Sequence, residues 1–330
     1  MKVIWSIELV LLALLTLIQP LQAQDWSKAP PAAVQKAAEQ GDAGAQFVLG
    51  AMYEHGQGVP KDDGQAAVWT RKAAEQGVAM AQYNLGLSYI TGQGVPQDVA
   101  EGVAWFRKAA EQGLAKAQYN LGVIYGKGQG VPQDDGQAAV WTRKAAEQGL
   151  AKAQYNLGVI YGKGQGVPQD DGQAVVWTHK AAEQGHAEAQ LSLGLRYYTG
   201  QGVPQDAAQA VVWFRKAAEQ GVAKAQFNLG LSYASGQGVS KDVAEGVVWF
   251  RKAAEQGLAE AQFNLGVIYG EGQSVPQDYQ QAYAWLSVAA TNGVANAVKY
   301  RDFCAQQLPP TQLAEAQALA TRYFEASRPK

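Results

Sequence analysis

A tryptophan recurs at a fixed interval of 36 residues through most of this chain. The column consists of Trp69, Trp105, Trp141, Trp177, Trp213, Trp249 and Trp285. A column of glutamines, from Gln46 to Gln262, keeps the same step. A constant period of this length is the signature of stacked structural repeats, each of which packs on its neighbours. The period therefore predicts one elongated array, although 330 residues would otherwise suggest about two ordinary domains.

The columns divide the chain into seven units with a short segment at each end. The predicted units are 45–80, 81–116, 117–152, 153–188, 189–224, 225–260 and 261–296. Residues 24–44 contain a stretch, Val34 to Gly41, that matches the end of a unit without its tryptophan, which predicts an N-terminal half-repeat cap. Residues 297–330 are predicted to form C-terminal capping helices.

Each unit carries the signals of two helices joined by a glycine-rich turn. In the second unit, apolar residues four apart, such as Ala81 and Leu85, indicate a first helix. Asp98 followed by Glu101 is the pattern of a capping box, which predicts the start of a second helix. Gly113 is placed to end that helix in a left-handed conformation. One unit is therefore predicted to be a helical hairpin.

The unit pattern A-Q-Y-N-L-G-x-x-Y-x-x-G-x-G-V-P-x-D-x-x-x-A-x-x-W-x-x-K-A-A-E-Q-G resembles the Sel1-like repeat, a relative of the tetratricopeptide repeat. The resemblance covers residues 45–296 and implies an all-α fold, an α-solenoid of stacked helical hairpins. The last unit departs from the pattern, because Ser287, Val288 and Thr291 replace the usual Arg, Lys and Glu. Exposure near the end of the array, or packing on the C-terminal cap, would explain this change.

The N-terminal 23 residues have the features of a secretory signal peptide. Lys2 supplies the positive start, Leu9 to Ile18 form an apolar run, and Ala23 is a small residue before a cut. The alternative is an uncleaved anchor, but the run is shorter than the roughly 20 residues that a spanning helix needs. We expect a periplasmic or secreted protein that does not insert into the membrane after cleavage.

Composition excludes several kinds of site. The chain has 27 basic and 29 acidic residues, and this balance gives no electrostatic reason to bind nucleic acid. A single cysteine, Cys304, excludes a disulfide framework and a thiolate zinc site. We predict no metal, no cofactor and no catalytic residue. Cys304 is expected to be a small buried residue, with a reactive or intermolecular thiol as the alternative.

The conspicuous columns have structural interpretations. The tryptophans lie at helical spacing beside alanines, so we predict that they belong to the core and do not form a ladder for stacking ligands. Each unit also has an aspartate three residues before Gln or Glu, which predicts a helix cap in preference to a calcium ligand.

The first helices should line a concave groove, by likeness to tetratricopeptide hairpins. The first predicted row is Phe47, Tyr83, Tyr119, Tyr155, Leu191, Phe227 and Phe263. The second row, one turn further on, is Ala51, Leu87, Val123, Val159, Leu195, Leu231 and Val267, with Lys127 and Lys163 near the edge. Such a groove suits an extended peptide or an amphipathic helix. The alternative is that these side chains only pack between neighbouring first helices.

These features predict a monomeric, non-enzymatic scaffold of the bacterial envelope that binds a protein or peptide partner. The resemblance also raises an alternative, a β-lactamase-like or penicillin-binding hydrolase, as described for cysteine-rich Sel1-like relatives. Those relatives carry a pair of cysteines in each repeat, and the repeats of this chain carry none. A spacer without a groove ligand is the third hypothesis.

Overall fold

The structure of the chain is a computed structural model that describes residues 25–272 and 274–327. The predicted leader, residues 1–23 with its cut after Ala23, lies outside these residues. Across the described ranges the chain forms a 3₁₀ helix at Trp26–Lys28 and seventeen α-helices, without a strand. The predicted all-α fold class is therefore confirmed.

The α-helices are numbered in chain order. Their bounds are α1 Pro31–Glu39, α2 Ala43–His55, α3 Asp63–Glu75, α4 Ala79–Thr91, α5 Val99–Glu111, α6 Ala115–Lys127, α7 Asp135–Glu147, α8 Ala151–Lys163, α9 Asp171–Glu183, α10 Ala187–Thr199, α11 Ala207–Glu219, α12 Ala223–Ser235, α13 Val243–Glu255, α14 Ala259–Glu271, α15 Tyr279–Thr291, α16 Ala295–Gln306 and α17 Pro310–Ala326. Helices α2, α4, α6, α8, α10, α12 and α14 are the first helices of the seven hairpins, and the helix after each is the second.

An aspartate caps the N-terminus of each second helix. Asp98 Oδ1 accepts a 3.0 Å hydrogen bond from the backbone N–H of Glu101, and the other six repeats make the same contact, which confirms the capping role. The start of the second helix after Asp98 is as predicted, but the Glu101 side chain does not bond back to the Asp98 N–H. Glu101 Oε1 instead accepts from the indole N–H of Trp105 at 2.9 Å. The Asp98 N–H donates to the Tyr89 carbonyl, so it needs no side-chain partner.

Glycines allow the turn and the close approach that the hairpin requires. Gly113 follows α5 with φ of 90°, a conformation that favours glycine. Gly86 lies inside α4, where a Cβ atom would come within 2.7 Å of the Phe106 ring on α5. The two helices of a hairpin can therefore pack closely, which offsets the helix-propensity cost of about 1 kcal/mol for a glycine.

The chain divides into two compact units, and the boundary falls between Ala145 and Ala146, inside α7. Within each unit the two helices of a hairpin pack against each other. The second helix also packs on the first helix of the next hairpin, as α3 does on α4 and α11 does on α12. This is the stacking expected of an α-solenoid repeat.

The core repeats with the sequence. Each first helix contributes a fully buried leucine, and the second helices contribute pairs of buried alanines. The leucines are Leu49, Leu85, Leu121, Leu157, Leu193, Leu229 and Leu265. Trp105, Trp141, Trp213 and Trp285 are buried as well, which confirms that these members of the tryptophan column belong to the core.

The glutamine column is a series of buried inter-helix ties. Gln82 Nε2 donates to the carbonyl of Ala74 in α3 at 3.1 Å, and its Oε1 accepts from Gln112 Nε2, beyond the end of α5, at 2.7 Å. One amide thus links two successive second helices and leaves neither of its own polar atoms unpaired. The same arrangement occurs at Gln46, Gln154, Gln190, Gln226 and Gln262.

The C-terminal helix α17 packs on α15 and explains part of the divergence of the last repeat. In earlier repeats a lysine covers the tryptophan, as Lys108 Nζ does at 3.6 Å from the ring centroid of Trp105. In α15 the lysine is replaced by Val288, which is buried. The ring of Tyr323 from α17 stacks on Trp285 instead, with centroids 4.1 Å apart. Packing on the cap is therefore the correct explanation for Val288.

Ser287 has a similar explanation. In earlier repeats the arginine at this position bonds a tyrosine on the next first helix, as Arg107 Nη2 does with the Tyr125 hydroxyl at 2.6 Å. The residue of α16 that corresponds to Tyr125 is Ala305, which offers no hydroxyl. The arginine and its partner are thus lost together at the end of the array.

Candidate functional site

The first predicted groove row is half-buried and packs between helices. The rings of Tyr83 and Phe106 have centroids 5.3 Å apart, and Tyr155 stacks on His186 at 5.0 Å. All seven members are only partly accessible: Phe47, Tyr83, Tyr119, Tyr155, Leu191, Phe227 and Phe263. Tyr83 and Tyr155 thus contribute to packing, while all members of the row keep part of their surface accessible.

The second predicted row is more accessible. Leu87, Leu195 and Leu231 leave 36%, 41% and 39% of their surface exposed. The remaining members, Ala51, Val123, Val159 and Val267, are half-buried, and the two edge residues, Lys127 and Lys163, are exposed. In each compact unit, we call the surface that carries this row the first-helix face.

The first-helix face also carries a column of asparagines that the analysis of the sequence missed. Asn84 lies one turn before Leu87 on α4 and is half-buried. The column comprises Asn84, Asn120, Asn156, Asn228 and Asn264, with Ser192 in the fifth repeat. The 36-residue step would have revealed it. Each amide offers a donor and an acceptor, which are the groups that a peptide backbone requires.

A second exposed column lies on the second helices and was also missed. Five valines that precede the tryptophans, Val68, Val140, Val176, Val212 and Val248, are each close to half exposed. At the same position in α15, on which α17 packs, Ala284 is fully buried. These valines provide a matched comparison for the leucines of the first-helix face.

Cavities recur at one position of the repeat, between successive first helices. The acidic pocket lies between α2 and α4, has a volume of about 210 Å³, and is lined by Glu54, Asp63 and Ser88 among others. The tyrosine pocket lies between α10 and α12, with Tyr198 in its wall and a volume of about 90 Å³. The cysteine pocket lies between α14 and α16, contains Cys304, and has a volume of about 330 Å³.

The side chains at this position decide how much space remains. Tyr198 narrows the tyrosine pocket, where its hydroxyl donates to Gln237 Oε1 at 2.9 Å. Between α8 and α10 the corresponding space holds the guanidinium group of Arg196. Arg196 Nη1 lies 3.3 Å from Asp171 Oδ1, which also accepts from Gln201 Nε2 at 3.1 Å. The pockets thus share a location and differ in chemistry.

The cysteine pocket is mainly apolar and its thiol is buried. Burial raises the pKa of Cys304 to about 11, so the thiol stays protonated at neutral pH and is a poor nucleophile. Phe303, on the rim, is 53% exposed. The geometry agrees with the expected small buried cysteine.

His186 has a structural role. Its Nδ1 accepts from the backbone N–H of Ala189 at 3.3 Å, so the side chain caps α10. Burial lowers the pKa of His186, an effect that the nearby Glu188 opposes. The imidazole is therefore neutral at pH 7 and available as a cap.

The described residues contain neither a cluster of metal-ligating side chains nor a helix suited to span a membrane. In the ranges that the structure covers, no group of three or more His, Cys, Asp or Glu side chains could hold a metal ion. None of the described helices combines the length and the apolar character needed to cross a membrane.

Stacked helical hairpins with an accessible first-helix face define a helical-repeat protein of the tetratricopeptide-like class. The family model described as the Sel1 repeat matches residues 43–78, 79–114, 115–150, 151–186, 187–222, 223–258 and 259–294. The chain belongs to the Sel1 repeat family. The matched repeats begin two residues before the units drawn from the sequence and keep the same step.

Solved structures of Sel1-type proteins resemble this chain. A Sel1 repeat protein from Oxalobacter formigenes is 38% identical, with a TM-score of 0.67, over 82% of this chain and 79% of its own. The protein c5321, a protective antigen present in uropathogenic Escherichia coli strains and displaying an SLR fold, is 32% identical, with a TM-score of 0.52. That match covers 93% of this chain and 90% of the other. A comparison with curated proteins found no match.

Membership of the Sel1 repeat family indicates a general function. Sel1 repeat proteins generally act as protein-interaction scaffolds, and their repeats suggest protein partners for this chain. The alternative of a β-lactamase-like or penicillin-binding hydrolase is not supported.

Proposed function

We propose that this chain is a non-enzymatic scaffold of the bacterial envelope that binds a protein or peptide on its first-helix face, the concave face of an α-solenoid. The observation that carries the proposal is the exposure of Leu87, Leu195 and Leu231 on helices where a half-buried polar residue lies one turn earlier. These polar residues are Asn84, Ser192 and Asn228. Accessible leucines supply apolar contact area for a partner. The neighbouring amides can bond the backbone of an extended segment, which is a common way of holding peptides.

The second-helix valines allow the proposal to be tested on two faces of one protein. The first variant changes Leu87, Leu195 and Leu231 to Glu, and the matched control changes Val68, Val140 and Val212 to Glu. Each set places three carboxylates at exposed apolar positions. Circular dichroism of both variants checks that the helices remain folded.

Partner recovery from the native envelope fraction is then compared among the three proteins. We expect the leucine variant to lose the proteins that the unchanged chain recovers, and the valine variant to retain them. Loss with the valine variant alone would move the binding surface to the second helices and contradict the proposal.

The cellular location is part of the proposal and has its own test. Lys2, the apolar run from Leu9 to Ile18, and Ala23 support export with cleavage after Ala23. The intact mass of the protein purified from the envelope fraction should correspond to a chain that begins at Gln24. A mass that includes the first 23 residues would contradict cleavage and favour the anchor.

A further inference from the structure

The acidic pocket has two carboxylates at its wall and an unfilled centre. Glu54 at the end of α2 and Asp63 at the start of α3 both line the cavity of about 210 Å³, together with Asn84, Ser88 and Gln93. The lining contains no lysine or arginine. A cavity of this size is large enough for a planar polar group and some water.

Asp63 of the pocket has a long ion pair and one carboxylate oxygen without a hydrogen-bond donor among the described residues. Asp63 Oδ1 is shielded from solvent and, within the described part of the chain, receives no hydrogen bond. Lys61 Nζ lies 3.9 Å away, beyond hydrogen-bond length, and both side chains remain partly exposed. The ion pair with Lys61 is therefore long and partly solvated, and Asp63 Oδ1 keeps the capacity to accept a hydrogen bond from outside the chain.

The chain itself shows which group this position of the repeat accepts. The counterparts of Glu54, Asp63 and Ser88 in later repeats are Gly162, Asp171 and Arg196, each 108 residues further along the chain. There the guanidinium of Arg196 fills the space, with its Nη1 3.3 Å from Asp171 Oδ1. A Cβ atom added to Gly162 would lie 2.6 Å from Arg196 Nη2, so the guanidinium occupies the space beside that glycine.

The residues at these positions differ from repeat to repeat, and one combination, Gly126 with Asp135 and Ile160, keeps the aspartate without an arginine. Where α10 supplies Arg196, the residue opposite on α8 is Gly162, and Asp171 accepts a hydrogen bond from the arginine. Where α6 supplies Ile124, the aspartate is replaced by Val99, and the two pack in one apolar cluster. In the acidic pocket the aspartate is Asp63. Ser88 stands at the position of the arginine, and Glu54 stands at the position of the glycine. The acidic pocket thus carries two carboxylates where the counterpart carries one carboxylate and an arginine, and its nearest cation is Lys61, with Nζ 3.9 Å from Asp63 Oδ1.

We propose that the acidic pocket binds the guanidinium group of an arginine side chain supplied by a partner protein. Glu54 and Asp63 would accept its N–H groups, and Ser88 leaves the room that Arg196 takes up in the filled counterpart. A guanidinium fits better than an ammonium because its planar fork can donate to both carboxylates at once. This inference rests on the proposed function for its partner, but the chemistry of the pocket can be tested without one.

The probe is N-acetyl-arginine methylamide, compared with the citrulline and lysine analogues, on the full mature chain. Isothermal titration calorimetry at low salt should give saturable binding of the arginine probe with a Kd on the order of a few millimolar. The citrulline analogue, which has a similar shape and no charge, should bind at least about tenfold more weakly. The lysine analogue should also be weaker.

Variants locate the site. Glu54→Gln together with Asp63→Asn should abolish the arginine signal, while Asp135→Asn, a change at the corresponding position of another repeat, should leave it intact. Ser88→Arg should abolish binding by filling the pocket from within, as Arg196 does, and should raise the melting temperature. Circular dichroism shows that each variant is folded.

The outcomes separate the two proposals. Absence of saturable binding up to about 20 mM of the arginine probe, equal binding of the lysine or citrulline analogue, or binding that survives the paired Glu54 and Asp63 change would each overturn the arginine pocket. Leu87 also lines the acidic pocket, but the pocket variants leave all three leucines of the first-helix face unchanged. The scaffold proposal therefore stands or falls on its own experiment.

Discussion

Gln112 Nε2 donates a 2.7 Å hydrogen bond to Oε1 of Gln82, and the same Gln82 amide donates to the carbonyl of Ala74 in the preceding hairpin. The pair thus connects neighbouring repeats through a buried polar contact. Because the same tie is made at most of the repeats, its removal at one of them should weaken the stack locally.

Gln82→Leu should lower the free energy of unfolding by about 1–3 kcal/mol, because the Ala74 carbonyl and the Gln112 amide lose their buried partner. Urea denaturation followed by circular dichroism measures the change. Gln65→Leu, at an exposed position of α3, is the control and should alter stability by less than about 0.5 kcal/mol. Equal effects of the two substitutions would show that the tie contributes nothing.

Val288→Lys should detach α17 from α15, since it restores the lysine of earlier repeats at a position that is buried beneath the cap. The stacking of Tyr323 on Trp285 would be lost with it. Hydrogen exchange should rise in residues 310–326 and stay unchanged in α4 and α5. Unaltered protection of α17 would mean that burial of Val288 does not hold the cap.

Stability should depend on pH through His186. Burial lowers its folded-state pKa below the ordinary value of 6.5, so the unfolded chain binds more protons just below that pH. Stability contributed by the neutral imidazole is then present above pH 6.5, falls as the pH drops through 6.5, and levels off below the folded-state pKa.

Replacement of His186 by leucine, the residue at the same position in the preceding unit, should remove this dependence. The comparison of urea midpoints at about pH 5.5 and about pH 7.5 measures it. His179→Arg is the control, because it also restores a residue of the preceding unit and leaves His186 in place. A slope that persists in His186→Leu would assign the pH dependence to another group.

Cys304 should resist alkylation in the folded protein. With its pKa raised to about 11, the thiolate fraction at pH 8 is small, and iodoacetamide should react roughly 100-fold more slowly than with the unfolded chain. The rate should increase with pH up to about 11. Rapid reaction of the folded protein at pH 8 would contradict the burial of the thiol.

The fold was predictable because its signals are local and repeated. The tryptophan column gave the period, and Asp98 and Gly113 marked the ends of a helix from their own chemistry. The hydrogen-bond partner of Glu101 could not be predicted, because its choice between the Asp98 N–H and the indole of Trp105 depends on side-chain geometry that the pattern does not contain.

The candidate site was harder to predict for a physical reason. Tyr83 and Leu87 lie on the same helix one turn apart, yet the first packs against Phe106 and the second is exposed. That difference depends on how closely neighbouring helices approach. The acidic pocket was missed because Glu54 and Ser88 are distant in sequence and only the fold brings them to one cavity. Their significance also depends on a comparison with Gly162 and Arg196, which occupy the equivalent positions.

Site-specific photo-crosslinking tests the central claim most directly. A benzophenone amino acid is placed singly at Leu87, Leu195 and Leu231 on the first-helix face, and at Val68, Val140 and Val212 on the second helices, in the chain expressed in its native host. We predict one shared partner adduct from the leucine positions and no adduct of that mass from the valine positions. The same adduct from the valine positions, with none from the leucines, would contradict partner binding on the first-helix face.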